Sequence, residues 1–252
     1  MNLRAILSAT IEPNRRVRDM PGPGFEWIGK KEKKEVLEVL RDRWLFRYGD
    51  EKDPAFKRKV KTLEEMVEKK FSTKHALAVT SGTAALITAL FALVIGPGDE
   101  VIVPGYTFIA SMSSVIIARA VPVLAEIDES LTLDPPDVER RITPRTKAIM
   151  AVHMLGNACN LDALSAIAST HKLILLEDAA QAFGGSYKGK QLGTIGKIGT
   201  YSFNIFKTIN AGDGGMVVTD DDELYFRAFY HRPSRGTNDS GMPEAKQSST
   251  LR

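Results

Sequence analysis

Residues 75–105, HALAVTSGTAALITALFALVIGPGDEVIVPG, decide the fold class of this chain. HALAVT is a short apolar run that ends in the small polar residues Ser81, Gly82 and Thr83. GTAALITALFAL follows, apolar on every side, shorter than a membrane span and stopped by GPGDE, which reads as a buried helix running into a turn. EVIVPG is then a second buried strand. Strand, helix and strand in succession, each apolar all round, are the βαβ signature of a mostly parallel sheet covered on both faces.

The same alternation extends outward from this stretch. TFIASMSSVIIARA reads as helix, VPVLAEI and AIMAVHM as strands, DALSAIASTH as helix, and KLILLED and GTYSFN as strands, with GGMVVTD as an antiparallel addition. Upstream, VLEVLRD and TLEEMVEKKF have the helical period. The division that results is an N-terminal arm and lead-in helix over 1–45, a large domain over 46–230 and a divergent tail over 231–252 that loses apolar periodicity and is expected to be poorly ordered.

Composition narrows the function classes. With 252 residues, 43% of them hydrophobic, one large α/β domain can bury a core. The 34 basic and 31 acidic side chains are interspersed, so no nucleic-acid footprint is expected. Lys30, Lys31, Lys33 and Lys34 alternate with Glu32 and Glu35 and read as a solvated helix face. Cys159 is the only cysteine, which rules out an internal disulfide or a cysteine-based zinc site and suits a reducing compartment, the cytosol by default. His75, His153, His171 and His231 are too widely separated for metal-ligand spacing, and no membrane segment is expected. The stretch MNLRAILSATIEPNRRVRDM contains Glu12 and Asp19 and lacks the apolar centre of a signal peptide, so an arm is expected there.

In open α/β sheets ligands sit beyond the carboxyl ends of the strands. The residues at those ends are Thr80 to Thr83, Tyr106 to Phe108, His153, Asp178, Gln181 and Ser202 to Lys207. Asp178 ends LILLED and is carried to the rim by a buried strand, where it needs a charged partner; it reads equally as a helix N-cap for AAQAFG. Glu177 points to the other face by strand alternation.

Gly82 and Thr83 open a helix whose free N–H groups suit an anion such as phosphate, although helix capping alone accounts for the same residues, and Ser202 offers a further hydroxyl. Lys207 in SFNIFKTINAGDGG has apolar neighbours that favour the free amine, or it is a lysine snorkelling from an edge strand. Phe108 offers an aromatic wall, Tyr106 reads as core packing, and His153 as a buried histidine hydrogen-bonded in place. A lysine amine, a buried carboxylate, an anion cradle and a flat apolar wall are together what pyridoxal phosphate (PLP) needs from a protein.

Taken in order, TSGTAAL, GPGDEVIVPGYTFIAS, PRTKAIMAVHMLGN, LEDAAQAFGGSYKGKQLGTIG and SFNIFKTINAGDGGMVVTD resemble the DegT/DnrJ/StrS family of PLP-dependent sugar aminotransferases, from about Pro23 to about Arg227. The resemblance implies a three-layer αβα, aspartate-aminotransferase-like fold of type I. It places Lys207 at the cofactor lysine, Asp178 opposite the pyridine nitrogen and Gln181 near the O3′ face. Gly82, Thr83 and Ser202 fall at the phosphate and Phe108 against the ring.

The implied reaction is ping-pong transfer of an amino group from an amino acid, often glutamate, to a keto sugar in a homodimer. PGFEWIGKKEKKEVLEVL and LFRYG look most like the branch acting on 8-oxo-octulosonate-type sugars, the 8-amino-3,8-dideoxy-octulosonate transaminases. Sugar dehydratases of the family carry histidine where Lys207 stands, and no GxGxxG suggests a nicotinamide site. Family members continue into a small C-terminal domain that closes the site. After Phe229 the segment YHRPSRGTNDSGMPEAKQSSTLR reads as unlike them, so that domain is expected to be missing, leaving a non-catalytic PLP-binding or dimerisation remnant as the alternative.

Overall fold

The computed structural model describes residues 22–231, so the expectations for the arm and for the tail beyond His231 fall outside the described residues. A short 3₁₀ turn, Pro23–Trp27, leads into helix α1, Lys30–Asp42. None of the residues of α1 is buried, and the Glu32 side chain accepts a hydrogen bond from the Gly29 N–H at 2.7 Å, closing its first turn. The lysine cluster is the exposed helix face expected of it.

Helix α2, Lys59–Phe71, precedes β1, His75–Val79. Helix α3, Gly82–Ala92, follows, then β2, Glu100–Pro104, α4, Ile109–Ile117, and β3, Val121–Ala125. After these come α5, Pro135–Arg140, β4, Thr146–Val152, α6, Leu161–His171, and β5, Ile174–Asp178. A small hairpin, β6 Ser186–Tyr187 and β7 Lys190–Gln191, stands apart from the main sheet. The chain returns through β8, Ile198–Ser202, and β9, Gly215–Thr219, to α7, Asp222–His231.

Seven strands form one sheet in the order β1-β9-β8-β5-β4-β2-β3. From β3 to β8 all pairings are parallel, and β9 runs antiparallel to both β8 and β1, as its sequence suggested. Alternate strand residues enter opposite cores. Val101, Val103, Met150 and Val152 pack with α3, α4 and α7, whereas Ile102, Ile149 and Ala151 pack with α2 and α6. Strands β2, β8 and β9 are buried at every position, and β2 and β9 accordingly carry short apolar runs, whereas β8 buries Gly199, Thr200 and Ser202 as well. The result is the expected three-layer αβα sheet.

One adjacency differs from the simplest reading of residues 75–105. β1 and β2 are not neighbours; they lie far apart in the sheet, and α3 spans the distance beneath β8 and β9 while packing on α4 and α7. That position, covered on both sides, explains its lack of a polar face. Two helices went unassigned in the sequence: α5 is under two turns long, and α7, DELYFRAFYH, mixes aromatic and charged residues without a clear stripe.

Candidate functional site

Register sets what meets at the carboxyl end of the sheet. Val152 pairs with Asp178, Asp178 with Thr200, and Ser202 with Gly215, which in turn pairs with Val79. The strand ends therefore open together on one cleft of about 990 Å³. Gly82, Thr83, Phe108, Asp178, Gln181, Ser202 and Lys207, drawn from across the chain, all line it. A cleft of this size accommodates a cofactor-sized ligand with a small substrate.

Asp178 is 5% exposed. Its Oδ2 accepts from the Ser111 hydroxyl at 2.9 Å and its Oδ1 from the Ala180 N–H at 3.1 Å. Because Ser111 spends its only proton on Asp178, the 2.8 Å contact between Thr107 and Ser111 is a bond donated by Thr107. Burial raises the Asp178 pKa above the usual carboxylate range, against the opposing pull of Ser111, Ala180, His153 and Lys207. Among the described residues no cation stands within ion-pair distance of it, so the site lacks the positive partner a buried carboxylate calls for. No helix follows: residues 179–185 form turns, and the Ala180 bond closes a local Asx turn, which removes the N-cap alternative.

Beside it, α3 starts with Ser81 as N-cap, its hydroxyl accepting from Ala84 N–H at 3.0 Å. The N–H groups of Gly82 and Thr83 have no acceptor among the described residues and open on the cleft. Capping by Ser81 therefore leaves these two N–H groups free to meet an anion. Gly82 is required for a reason the sequence did not disclose: a Cβ there would lie 2.6 Å from Ser202 Cβ. Its absence lets the end of β8 close on the helix start. Gly82→Ala is expected to lower the thermal midpoint by several degrees and weaken phosphate-ester binding, as read by melting curves with and without ligand.

Lys207 lies in the turn after β8, an interior strand, which rules out the edge-strand reading. Burial lowers its pKa below that of an ordinary lysine, while Asp178 pulls the other way. Its amine makes no hydrogen bond or ion pair among the described residues. A partly buried lysine with a lowered pKa offers a free amine, the form that attacks a carbonyl.

Phe108 is 60% exposed and forms part of the cleft wall. Tyr106, expected in the core, is instead 44% exposed, because it falls in the turn between β2 and α4. Gln181 reaches the cleft, but its side chain is engaged: Oε1 accepts from Leu155 N–H at 3.1 Å and Nε2 lies 3.3 Å from Met154 Sδ. Leu155 has a φ of 54°, a left-handed conformation uncommon for a leucine, and Gln181 holds it there. His153 is fully buried and does not line the cleft.

His153 belongs to a second buried cluster on the opposite face of β5. Its Nδ1 accepts from Cys159 N–H at 3.2 Å, so Nε2 carries the proton and donates to Glu177 at 2.9 Å. Glu177 also accepts from the N–H groups of Gly193, Ile195 and Gly196 at 2.8, 2.6 and 2.5 Å. Burial opposes its ionisation, but these bonds win and its pKa lies below the ordinary value. Ser111 and Leu155 escaped sequence reasoning, and Thr107 stood among the strand-end residues without a role; Glu177 on the other face and His153 hydrogen-bonded in place are as expected, but their pairing was not foreseen. Only the spacing of Thr107 and Ser111, one helical turn apart, signalled a pair.

The model of the DegT/DnrJ/EryC1/StrS aminotransferase family matches residues 26–243, a range that includes every cleft residue from Ser81 to Asp213 and extends beyond Phe229. The chain belongs to the DegT/DnrJ/EryC1/StrS aminotransferase family. Its similarity to the spore coat polysaccharide biosynthesis protein SpsC of Bacillus subtilis is 45% identity, over 78% of this chain and 49% of that protein. With the GDP-perosamine synthase of Caulobacter vibrioides it shares 44% identity, over 75% of this chain and 49% of that one. Among solved structures, DesV of S. venezuelae in complex with a ketimine intermediate superposes with a TM-score of 0.74 at 38% identity, covering 84% of this chain and 57% of that one. The αβα sheet is accordingly that of the type I aminotransferases. The chain spans about half the length of the curated relatives it matches. Among the described residues, no helix is long and apolar enough to cross a membrane.

Proposed function

We propose that this chain is the cofactor-binding large domain, over 46–230, of a PLP-dependent aminotransferase that passes an amino group from an amino acid, glutamate foremost, to a keto sugar by a ping-pong route. The observation that carries this reading is the meeting in one cleft of a buried carboxylate with no ionic partner, a lysine with lowered pKa and an open helix N-terminus. Bound PLP would supply an electron-poor ring that takes up the electron pair left at the substrate Cα.

The residues divide the remaining work. Asp178, ionised once a cationic ring nitrogen faces it, keeps that nitrogen protonated. Gly82 and Thr83 N–H groups and the Ser202 hydroxyl hold the phosphate, Phe108 covers the ring, and Gln181 borders its O3′ side. With PLP bound, Lys207 would be the residue to hold it covalently, and its amine, when free, would move a proton to and from the substrate Cα as base and acid. The lead-in residues support an octulosonate-type sugar as the acceptor. Exposed Ile109, Ile116 and Ile117 on α4 support a homodimer, and a single cysteine suits a reducing cytosol.

Glutamate added to PLP-loaded protein is expected to convert the cofactor to pyridoxamine phosphate, seen as loss of the visible band. Asp178→Asn is expected to slow that conversion by about a hundredfold. Near-parental rates would remove Asp178 from its role. A second reading is a PLP-binding domain without turnover of its own; stable loading without conversion would select it.

A further inference from the structure

We infer that the lead-in residues Gly22, Pro23 and Gly24 form a strap that positions Lys207, which makes them part of the cofactor site and not a linker leading to it. The inference rests on the role proposed for Lys207 above. The loop carrying the lysine is built almost wholly from local bonds. Asn204 N–H donates to Ser202 Oγ, Phe206 N–H to Asn204 Oδ1, and Lys207 N–H to Asn204 O. Among the described residues, a single hydrogen bond ties 204–210 to a distant part of the chain: Gly24 N–H donates to the Lys207 carbonyl at 3.1 Å.

The packing behind that bond is backbone on backbone. Gly24 is buried, and a Cβ on it would lie 2.6 Å from Lys207 O and 2.7 Å from Thr208 O, main-chain atoms that cannot swing aside. Gly22 has a φ of +153°, and a Cβ there would fall 2.5 Å from Ile205 O and 2.8 Å from Phe206 Cα. Pro23, between them, faces the same cleft as Lys207 and stiffens the strap by fixing its own φ. Since the Lys207 amine has no hydrogen bond among the described residues to hold it, its position follows from its main chain, and the strap is what braces that main chain from outside the loop. Covalent attachment and proton transfer both tolerate little misplacement of the amine.

The test compares Gly24→Ala with Gly29→Ala, a control in the same lead-in whose new Cβ meets Glu32 Oε2 at an ordinary 3.6 Å. Each protein is titrated with PLP by absorbance, the pH midpoint of the bound-cofactor band is recorded, and the complex is reduced with borohydride and peptide-mapped. Gly24→Ala is expected to bind PLP about tenfold more weakly, the equivalent of about 1.4 kcal/mol, and to shift the pH midpoint, while Gly29→Ala matches the parent. Parental affinity and midpoint in Gly24→Ala would overturn the inference. If Gly24→Ala does not fold, hydrogen exchange on the parent decides: the Gly24 amide is expected to gain protection on PLP loading together with the Lys207 loop, and an amide indifferent to PLP overturns it. A parent carrying no label at Lys207 would instead overturn the function proposed above.

Discussion

Lys207→Ala is expected to abolish borohydride-stable attachment of PLP while leaving weaker, reversible binding of the cofactor. Lys207 is the only lysine lining the cleft among the described residues, so no neighbouring amine can substitute. The phosphate cradle proposed at the start of α3 and Ser202 is untouched by the change, so binding is expected to be weakened and not lost. The pH dependence of the parent carries a second check. Burial lowers the Lys207 pKa, so the free amine is already present below the pH at which an ordinary lysine loses its proton, 10.5. The attachment rate is therefore expected to rise with pH and level off below 10.5; a midpoint at or above that value would remove burial as the cause. Label found on another lysine, or persisting in Lys207→Ala, would remove Lys207 from the site altogether.

The largest effect on stability is expected at Glu177, away from the cleft. Its carboxylate collects four donors, from His153, Gly193, Ile195 and Gly196, in a fully buried position. Glu177→Gln turns an NH₂ group toward two of those donors, His153 and Gly193 or Ile195 and Gly196, and removes the charge they were arranged around, at a cost of about 3 kcal/mol in urea unfolding. The sign with pH follows from the lowered folded pKa. Stability from Glu177 is fully present above the ordinary 4.5 of a glutamate and is lost as pH falls through the folded value, so the parent, and not Glu177→Gln, loses this contribution on acidification. Equal acid sensitivity in the two proteins would show that the cluster does not act through its charge.

The strands were legible because double-sided burial leaves continuous apolar runs, and the strand ends pointed to the cleft residues because ligands in such sheets sit there. Less legible was anything set by contact between distant segments. Gly82 reads as a helix start, and only the approach of Ser202 shows what its missing side chain is for. Asp178 was visible as a buried carboxylate, but Ser111 beneath it was one serine among several in SMSS. Tyr106 was misplaced because an aromatic residue next to a strand looks the same in sequence whether it packs inward or lies on a turn. The Gly22–Gly24 segment looked like an irregular lead-in because its partners lie far along the chain.

The place of β9 between β1 and β8 also bears on how this molecule is made. Among the described residues β1 pairs only with β9, and Thr73 and Lys74 just before it are bonded to Asp220 just after β9. During synthesis the early strand leaves the ribosome and waits, unpaired, through the translation of almost everything described here. The parallel block from β3 to β8 can assemble meanwhile, but α3 lacks its final cover until β9 and α7 arrive. The apolar helix and strand edge stay exposed for that interval, which is when a nascent chain of this topology is most in need of a chaperone.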